Sequence, residues 1–191
     1  HVISPATESR VFDFSEKSRR YQQQLNAFMT QNIYPREEEY TAQLHVAENR
    51  YGYLPIMHEL KTKAQEQGLW NLFIPPSLAE FSDHGGLSNF DYAPLAETMG
   101  RVLWSPEVFN CNAPDTGNME VFMKYATPAQ QAQWLNPLLA GEIRSSYAMT
   151  EPQVASSDAT NVELSIVPDG NEWVLNGRKW FITGALYERT R

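Results

Sequence analysis

Residues 162–183 read VELSIVPDGNEWVLNGRKWFIT, and this stretch decides the fold class. Apolar residues alternate from Val162 to Ile166, which is the period of a β-strand. Pro168–Asn171 predicts a turn, EWVL predicts a second strand, and Asn176-Gly177 predicts another hairpin turn. RKWFIT is then predicted to form a third strand. The end of the chain therefore favours an antiparallel sheet.

The sequence before residue 144 favours helices instead. From Ser15 to Ile33, apolar residues recur at three- and four-residue steps, which is one face of a helix. Pro35 is predicted to end this helix and to leave 35–40 as an exposed connector, because proline interrupts helical hydrogen bonding. Residues 69–86 are predicted to form an apolar loop lying on the core, since Pro and Gly pairs interrupt the pattern. Further helices are predicted within residues 54–68, 88–100, 115–126 and 127–141, with Ser88 and Thr127 as N-caps.

Together these patterns predict an α+β fold with two parts. The prediction is an N-terminal α-helical domain over residues 1–143, followed by the first part of an antiparallel β-domain over residues 144–191. This sheet is incomplete, because the predicted strands are fewer than a sandwich or barrel contains.

Composition excludes several functional classes. The net charge of -8 argues against nucleic-acid binding, and no apolar run is long enough to span a bilayer. The N-terminal sequence has no apolar signal core, and Cys111 is the single cysteine, so an internal disulfide is excluded. The histidines are scattered without metal-ligand spacing, and no glycine-rich phosphate loop is present. We expect an intracellular protein, cytoplasmic or, if eukaryotic, mitochondrial or peroxisomal.

Two segments, YAMT and KWFIT, are predicted to be neighbouring strands that end in Thr150 and Thr183. Their hydroxyls, with free backbone groups and an apolar face from Met149, Phe181 and Ile182, would suit a flat heteroaromatic ring such as a flavin. Two ordinary strands with exposed threonines would give the same pattern, so the residues alone leave both interpretations open.

The motifs YAMTEP…SSD and WVLNGRKWFITGA closely resemble the acyl-CoA dehydrogenase family. The preceding APDTGNMEVFMKYATPAQQAQWLNPLLAGEI resembles its long-chain branch, which includes members fused to kinase-like domains. Members of this family are flavoproteins with an N-terminal helical domain, a middle β-domain and a C-terminal helical bundle. The order of the motifs here follows the first two of these domains.

The resemblance implies that FAD is the cofactor and acyl-CoA the substrate. Ser157 is implied to approach the CoA part of the thioester, although TEPQVASSD is one residue longer than the usual loop and lacks glycine, so Ser156 could take that place. Phe181 stands where many members have Trp, with Trp180 one position earlier. The implied cofactor-binding residues are Tyr147, Ala148, Met149, Thr150, Ser156, Phe181, Ile182 and Thr183.

The activity implied is α,β-dehydrogenation of an acyl-CoA thioester, with electrons passing to an acceptor such as an electron-transfer flavoprotein. The family's catalytic base, a glutamate, lies in the C-terminal bundle and no residue here matches it, whereas Glu151 is expected to be structural. We therefore expect a piece of an enzyme that is inactive alone, whose intact relatives are homo-oligomers. The alternatives are an acyl-CoA oxidase, which passes electrons to oxygen, and a non-catalytic helical interaction module.

Overall fold

The computed structural model describes residues 13–46 and 51–191. His1 and most of the N-terminal segment used in the localisation prediction lie outside the described residues. Two compact units are present. The first contains the described residues of His1–Tyr40 together with Glu59–Cys111, and the second contains those of Thr41–His58 together with Asn112–Arg191.

The first helical run is longer than predicted. Helix α1, Glu16–Phe28, begins after Ser15, whose hydroxyl accepts the Ser18 amide at 3.1 Å. The run then continues through a π-helical turn, Met29–Ile33, and a 3₁₀ turn, Tyr34–Arg36, into helix α2, Glu37–Leu44. The prediction that Pro35 leaves an exposed connector over 35–40 is wrong. Proline is tolerated where one helical segment starts, since its missing N–H is not needed there.

The predicted N-cap of helix α4, Asn89–Met99, is confirmed. The Ser88 hydroxyl accepts the Asp91 amide at 3.1 Å at the start of α4, and Gly100 ends that helix. Residues 69–86 form a loop that contains a 3₁₀ turn, Pro76–Phe81, and several of its apolar residues are buried, as predicted. The helices are α3, Pro55–Glu66, which starts in the second unit, α4, Asn89–Met99, and α5, Ser105–Val108. The core of this unit includes Leu25, Phe28, Met29, Ile33, Leu60, Leu72, Ile74, Leu95, Met99 and Phe109.

In its described residues, the second unit adds a hairpin, a 3₁₀ turn, Ala159–Asn161, and the helices α6, Asp115–Tyr125, α7, Pro128–Gln130, and α8, Asn136–Leu139. Thr127 forms a capping box with Gln130 at the start of α7. A π-helical turn, Gln131–Leu135, leads into α8, which contains Pro137 in its first turn and ends at Leu139. Met119 and Met123 of α6, Leu135 of the π-helical turn and Leu138 of α8 are buried.

The sheet is a two-stranded antiparallel hairpin, which confirms the α+β fold class. Strand β1, Ser165–Asp169, pairs with β2, Glu172–Asn176, so the turn is Gly170-Asn171, with Gly170 at a φ of 62°. The predicted turn began two residues too early, because Pro168 lies in the strand opposite Trp173. Proline is accommodated in an edge strand, where its missing N–H costs no ladder bond.

The prediction of further strands in YAMT and RKWFIT is wrong within the described residues. The Met149 amide bonds to the Tyr147 carbonyl at 3.1 Å, a tight turn that interrupts an extended strand. Phe181 has a φ of 50°, and the Ala185 amide bonds to the Ile182 carbonyl at 3.2 Å. Both segments are therefore irregular. The predicted turn at Asn176-Gly177 accordingly joins no third strand.

Candidate functional site

The TEP loop is closed by its own hydrogen bonds. The Glu151 amide donates to Ser156 Oγ at 2.7 Å, and that hydroxyl lies 3.3 Å from the carbonyl oxygens of Glu151 and Val154. A short loop with a serine folded back onto its start is held by side chain–backbone bonds rather than by a strand ladder.

The carboxylate of Glu151 accepts three hydrogen bonds from two other stretches of the chain. Its Oε2 accepts the Glu163 amide at 2.7 Å, and its Oε1 accepts the Leu164 amide at 3.0 Å and the Lys179 ammonium at 2.8 Å. Lys179 and then the two backbone amides lower the pKa of Glu151 to about 2. The carboxylate is thus engaged and ionised at neutral pH, which agrees with the structural role expected of it and makes it a poor proton acceptor.

Lys179 also joins the two motif segments directly. Its ammonium donates to the Met149 carbonyl at 2.9 Å, and the Trp180 amide donates to the Thr150 carbonyl at 3.1 Å. The segments before and after the hairpin therefore lie side by side, although neither is a strand.

An open groove of about 640 Å³ follows the second motif. Its most prominent side chain is Phe181, which is 82% exposed and lies 4.6 Å, centroid to centroid, from the ring of Trp180. The positive φ of Phe181 is uncommon for a bulky residue, and such conformations cluster at functional sites. The groove is lined by Lys179, Trp180, Phe181, Ile182, Thr183, Ala185 and Leu186.

The predicted cofactor-binding residues fall into two groups. Phe181, Ile182 and Thr183 line the groove, whereas the segment 147–150 does not, and is connected to it through Lys179 and Trp180. Tyr147 is 64% exposed, Ala148 is exposed, and Met149 and Thr150 are half-buried. In the part of the chain that the structure describes, neither the Thr150 nor the Thr183 hydroxyl makes a hydrogen bond.

The two candidate serines differ in their surroundings. Ser156 is half-buried and its hydroxyl is used inside the loop, whereas Ser157 is exposed and its hydroxyl has no hydrogen bond to any described residue. Of the two, Ser157 is the one free to meet a ligand without opening the loop.

A buried polar cluster fixes the start of the first motif. Asp115, which is fully buried, accepts from Arg144 Nε, from the Ser145 amide at 2.8 Å and from the Ser145 hydroxyl at 2.6 Å. Asn118 donates to Ser145 Oγ at 2.8 Å. Burial of a paired charge is tolerated when its remaining hydrogen-bonding capacity is satisfied, as it is for Asp115.

Other kinds of site receive no support from the described residues. Residues 13–46 and 51–191 contain no group of three or more His, Cys, Asp or Glu side chains placed to hold a metal ion. None of the helices described is both long and apolar enough to cross a membrane. Desolvation raises the pKa of the Cys111 thiol to about 11, which disfavours the reactive thiolate.

Comparison with protein families gives two matches, which together cover most of the chain. Residues 15–142 match the model described as acyl-CoA dehydrogenase, N-terminal domain, and residues 146–190 match acyl-CoA dehydrogenase, middle domain. The chain belongs to the acyl-CoA dehydrogenase family.

Individual relatives agree with this assignment. Mouse acyl-CoA dehydrogenase family member 10 is 49% identical over 192 residues, which is 100% of this chain and 17% of the mouse protein. A solved structure from Mycobacterium abscessus, assigned to the acyl-CoA dehydrogenases, is 44% identical with a TM-score of 0.85, covering 94% of this chain and 45% of that one. An acyl-CoA dehydrogenase complexed with FAD from Bacillus anthracis shares the fold at 23% identity and a TM-score of 0.58, over 89% of this chain and 27% of that one. This acyl-CoA dehydrogenase family member thus spans less than half the length of each.

The sequence interpretation missed the roles of two basic residues in this family member. Arg144 pairs with buried Asp115, and Lys179 pairs with Glu151, and no sequence pattern predicted either pairing. Their partners lie 29 and 28 residues away in sequence, beyond the range of any helix or hairpin pattern. The available signal was a lysine three residues after the end of β2 and a glutamate within the TEP loop.

Proposed function

We propose that this chain forms the flavin-facing and thioester-facing part of an FAD-dependent acyl-CoA dehydrogenase. The observation that carries the proposal is the hydrogen bond between the Trp180 amide and the Thr150 carbonyl, 3.1 Å long. It brings the TEP motif beside the KWFIT motif, and these are the two segments that the family resemblance assigns to the flavin. In this proposal residues 1–143 are the helical domain and residues 144–191 the first part of the β-domain.

The residues present are chemically suited to a flavin. An isoalloxazine ring is flat and apolar on its faces and has hydrogen-bonding atoms along its edges. The groove offers the exposed Phe181 ring, while Thr150 and Thr183 offer hydroxyls that bond to no other described residue. The Bacillus anthracis relative was solved with FAD, which supports the same cofactor here. When bound, FAD would supply the hydride acceptor of the reaction.

The substrate side of the proposal rests on the loop after Pro152. Ser157 is exposed at its end, and we assign to it the contact with the CoA portion of an acyl-CoA thioester. Ser156 is proposed to serve the flavin side by holding the loop closed through the Glu151 amide, 2.7 Å from its hydroxyl. Ala155, Ser156 and Ser157 have small side chains, which leave room for a ligand to approach the backbone of this loop.

The proton acceptor is not assigned to any described carboxylate. Glu151 accepts three hydrogen bonds and its pKa is lowered to about 2, so it holds the site together rather than removing a proton. In this proposal a carboxylate of the C-terminal bundle acts as base, electrons leave to an electron-transfer flavoprotein, and the working enzyme is a homo-oligomer.

Titration of the chain with FAD tests the proposal. Saturable binding is expected, and Thr150→Val and Thr183→Val should each raise the Kd about 2- to 10-fold, because valine keeps the shape and removes one hydrogen bond. Thr30→Val is the matched control, since the Thr30 hydroxyl bonds to the Asn26 carbonyl of its own helix. Binding that is indifferent to both Thr150→Val and Thr183→Val, or no binding by the folded chain, would contradict the proposal.

A further inference from the structure

The two motif segments have little backbone connection of their own. Among the described residues, the hydrogen bond from the Trp180 amide to the Thr150 carbonyl is the one backbone pair between 147–151 and 179–183. A strand ladder would have fixed their separation through several such bonds, but both segments are irregular. Something else must hold their spacing.

Side chains supply the missing connection. The Lys179 ammonium donates to the Met149 carbonyl at 2.9 Å and to Glu151 Oε1 at 2.8 Å, so it ties the second segment to the first at two points. Both side chains are shielded from solvent, with 4% of the Glu151 and 17% of the Lys179 side chain exposed. Shielding distinguishes this pair from exposed pairs of the same unit, such as Lys124–Glu120, whose side chains are 46% and 40% exposed.

The same carboxylate also fixes the chain that enters the hairpin. The amides of Glu163 and Leu164, both donating to Glu151, belong to the segment leading into β1. Leu164 also lies against Gly177, where an added Cβ would come 2.9 Å from the Leu164 Cα. The Glu151 carboxylate therefore sets both the start and the end of the hairpin relative to the TEP loop.

We propose that Glu151 and Lys179 are positioning residues that set the separation between the two flavin-contacting segments. Lys179 lines the groove, but its ammonium bonds to the Met149 carbonyl and to the Glu151 carboxylate. The effect of this pair passes through the Met149 and Thr150 backbone on one side and through Trp180 and Phe181 on the other. This inference rests on the proposed function, since the separation of the segments matters only if a ligand spans them. The groups of a binding site must be held within about 0.5 Å of the geometry that binds the ligand.

The first experiment measures amide hydrogen exchange of the chain without flavin. In Glu151→Gln and Lys179→Met the amides of Glu163, Leu164 and Trp180 should exchange about tenfold faster, because a charge-assisted hydrogen bond is lost. Leu135→Ala, a cavity variant in the core of the same unit, should speed exchange across the unit without singling out these amides. Lys124→Met removes a lysine from an exposed pair and should change nothing at these positions. Unchanged exchange at all three amides in both pair variants overturns the proposal.

The second experiment measures FAD affinity and the visible absorbance of the bound flavin. Lys179→Met and Glu151→Gln should raise the FAD Kd by about tenfold and shift the absorbance band of the flavin. The reason is that Thr150, at the edge of the ring, and Phe181, at its face, are no longer held at a fixed separation. Lys179→Arg retains a charged donor and should recover part of the affinity. The destabilised Leu135→Ala variant should bind FAD as the wild type does, which separates positioning from loss of stability.

The outcomes distinguish the positioning role of Glu151 and Lys179 from the proposed flavin binding. If the wild type binds FAD and Thr150→Val weakens binding while Lys179→Met and Glu151→Gln do not, the positioning role is overturned and the proposed function stands. If the folded wild type binds no FAD, the proposed function fails, and with it the flavin-positioning role. The exchange data then show only whether the pair orders these segments.

Discussion

At the scale of single residues, Glu151 makes stability depend on pH in the acid range. Its pKa is lowered from 4.5 to about 2 by Lys179 and by the amides of Glu163 and Leu164. A group with a depressed folded-state pKa stabilises the fold fully above its unfolded pKa, and this contribution is lost as the pH falls through the folded pKa. The stabilisation by ionised Glu151 is therefore present above pH 4.5 and disappears towards pH 2.

The check is urea unfolding of wild type and Glu151→Gln between pH 4.5 and pH 2. The wild-type advantage in the free energy of unfolding should shrink steadily over this interval, since protonation removes the charge that the variant already lacks. Glu163→Gln is the control, because it is the backbone amide of Glu163 that donates to Glu151. A difference that stays constant with pH would contradict the assignment.

Gly177 and Gly117 should respond to alanine in opposite directions. A Cβ at Gly177 would lie 2.9 Å from Leu164 Cα and Cβ, so Gly177→Ala must displace backbone and should lower stability by about 1–3 kcal/mol. A Cβ at Gly117, inside α6, would meet nothing within 4 Å. Gly117→Ala should raise stability by about 0.5–1 kcal/mol, because alanine is the better helix former. Thermal or denaturant unfolding of both variants measures the change in the free energy of unfolding. Equal changes would show that the close contact between Gly177 and Leu164 does not exclude a side chain.

At the scale of elements, the hairpin exposes apolar side chains on both of its faces. Every residue of β1 and β2 is exposed, including the cross-strand pair Ile166 and Leu175, which are 56% and 63% exposed. Such strands present unpaired edges and apolar surface, which favours pairing with other chains.

We expect the chain to self-associate through this hairpin. Sedimentation velocity over a wide range of concentration should show association that Leu175→Glu reduces, because a charge on the apolar face opposes sheet pairing. Leu103→Glu is the control, since Leu103 is 98% exposed and lies in the other unit. A monodisperse monomer at high concentration would exclude this role for the hairpin.

Helix ends were predictable from sequence, whereas the path of the chain after the hairpin was not. Ser88, Thr127 and Gly100 act at helix termini through local contacts, which sequence patterns report well. The β-prone run 178–183 was predicted as a strand, but local propensity is overridden where no partner strand supplies a ladder. In place of a strand, this run and the residues after it contain Phe181 and Gly184 with positive φ values and a bond from the Ala185 amide to the Ile182 carbonyl.

In the candidate site, too, local features were predictable from the sequence and long-range contacts were not. The motif segments were recognisable, and their adjacency followed from the hairpin between them. The bonds that join them come from Lys179 and Glu151, 28 residues apart, and the anchor of the first motif comes from Asp115 and Arg144, 29 residues apart. Pairings over such separations depend on the folded path of the chain, so a single sequence predicts them poorly.

At the scale of the whole molecule, all the proposed ligand contacts fall within one compact unit. Residues 147–157 and 180–183 belong to the unit that contains Asn112–Arg191. The chain spans 17% of its mouse relative and 45% of the chain from Mycobacterium abscessus, so the activity of a whole enzyme remains a proposal here. In the proposed function, this unit carries a flavin-binding surface made by the two motif segments.

The most direct test of that claim is a hydrogen-exchange footprint of FAD on the chain. We predict that saturating FAD slows amide exchange in residues 147–150 and 180–183, with little change in α1 or α4 of the other unit. Protection confined to these two segments would establish that both motifs face one ligand. Protection elsewhere, or in one segment without the other, would contradict a flavin site made by both segments.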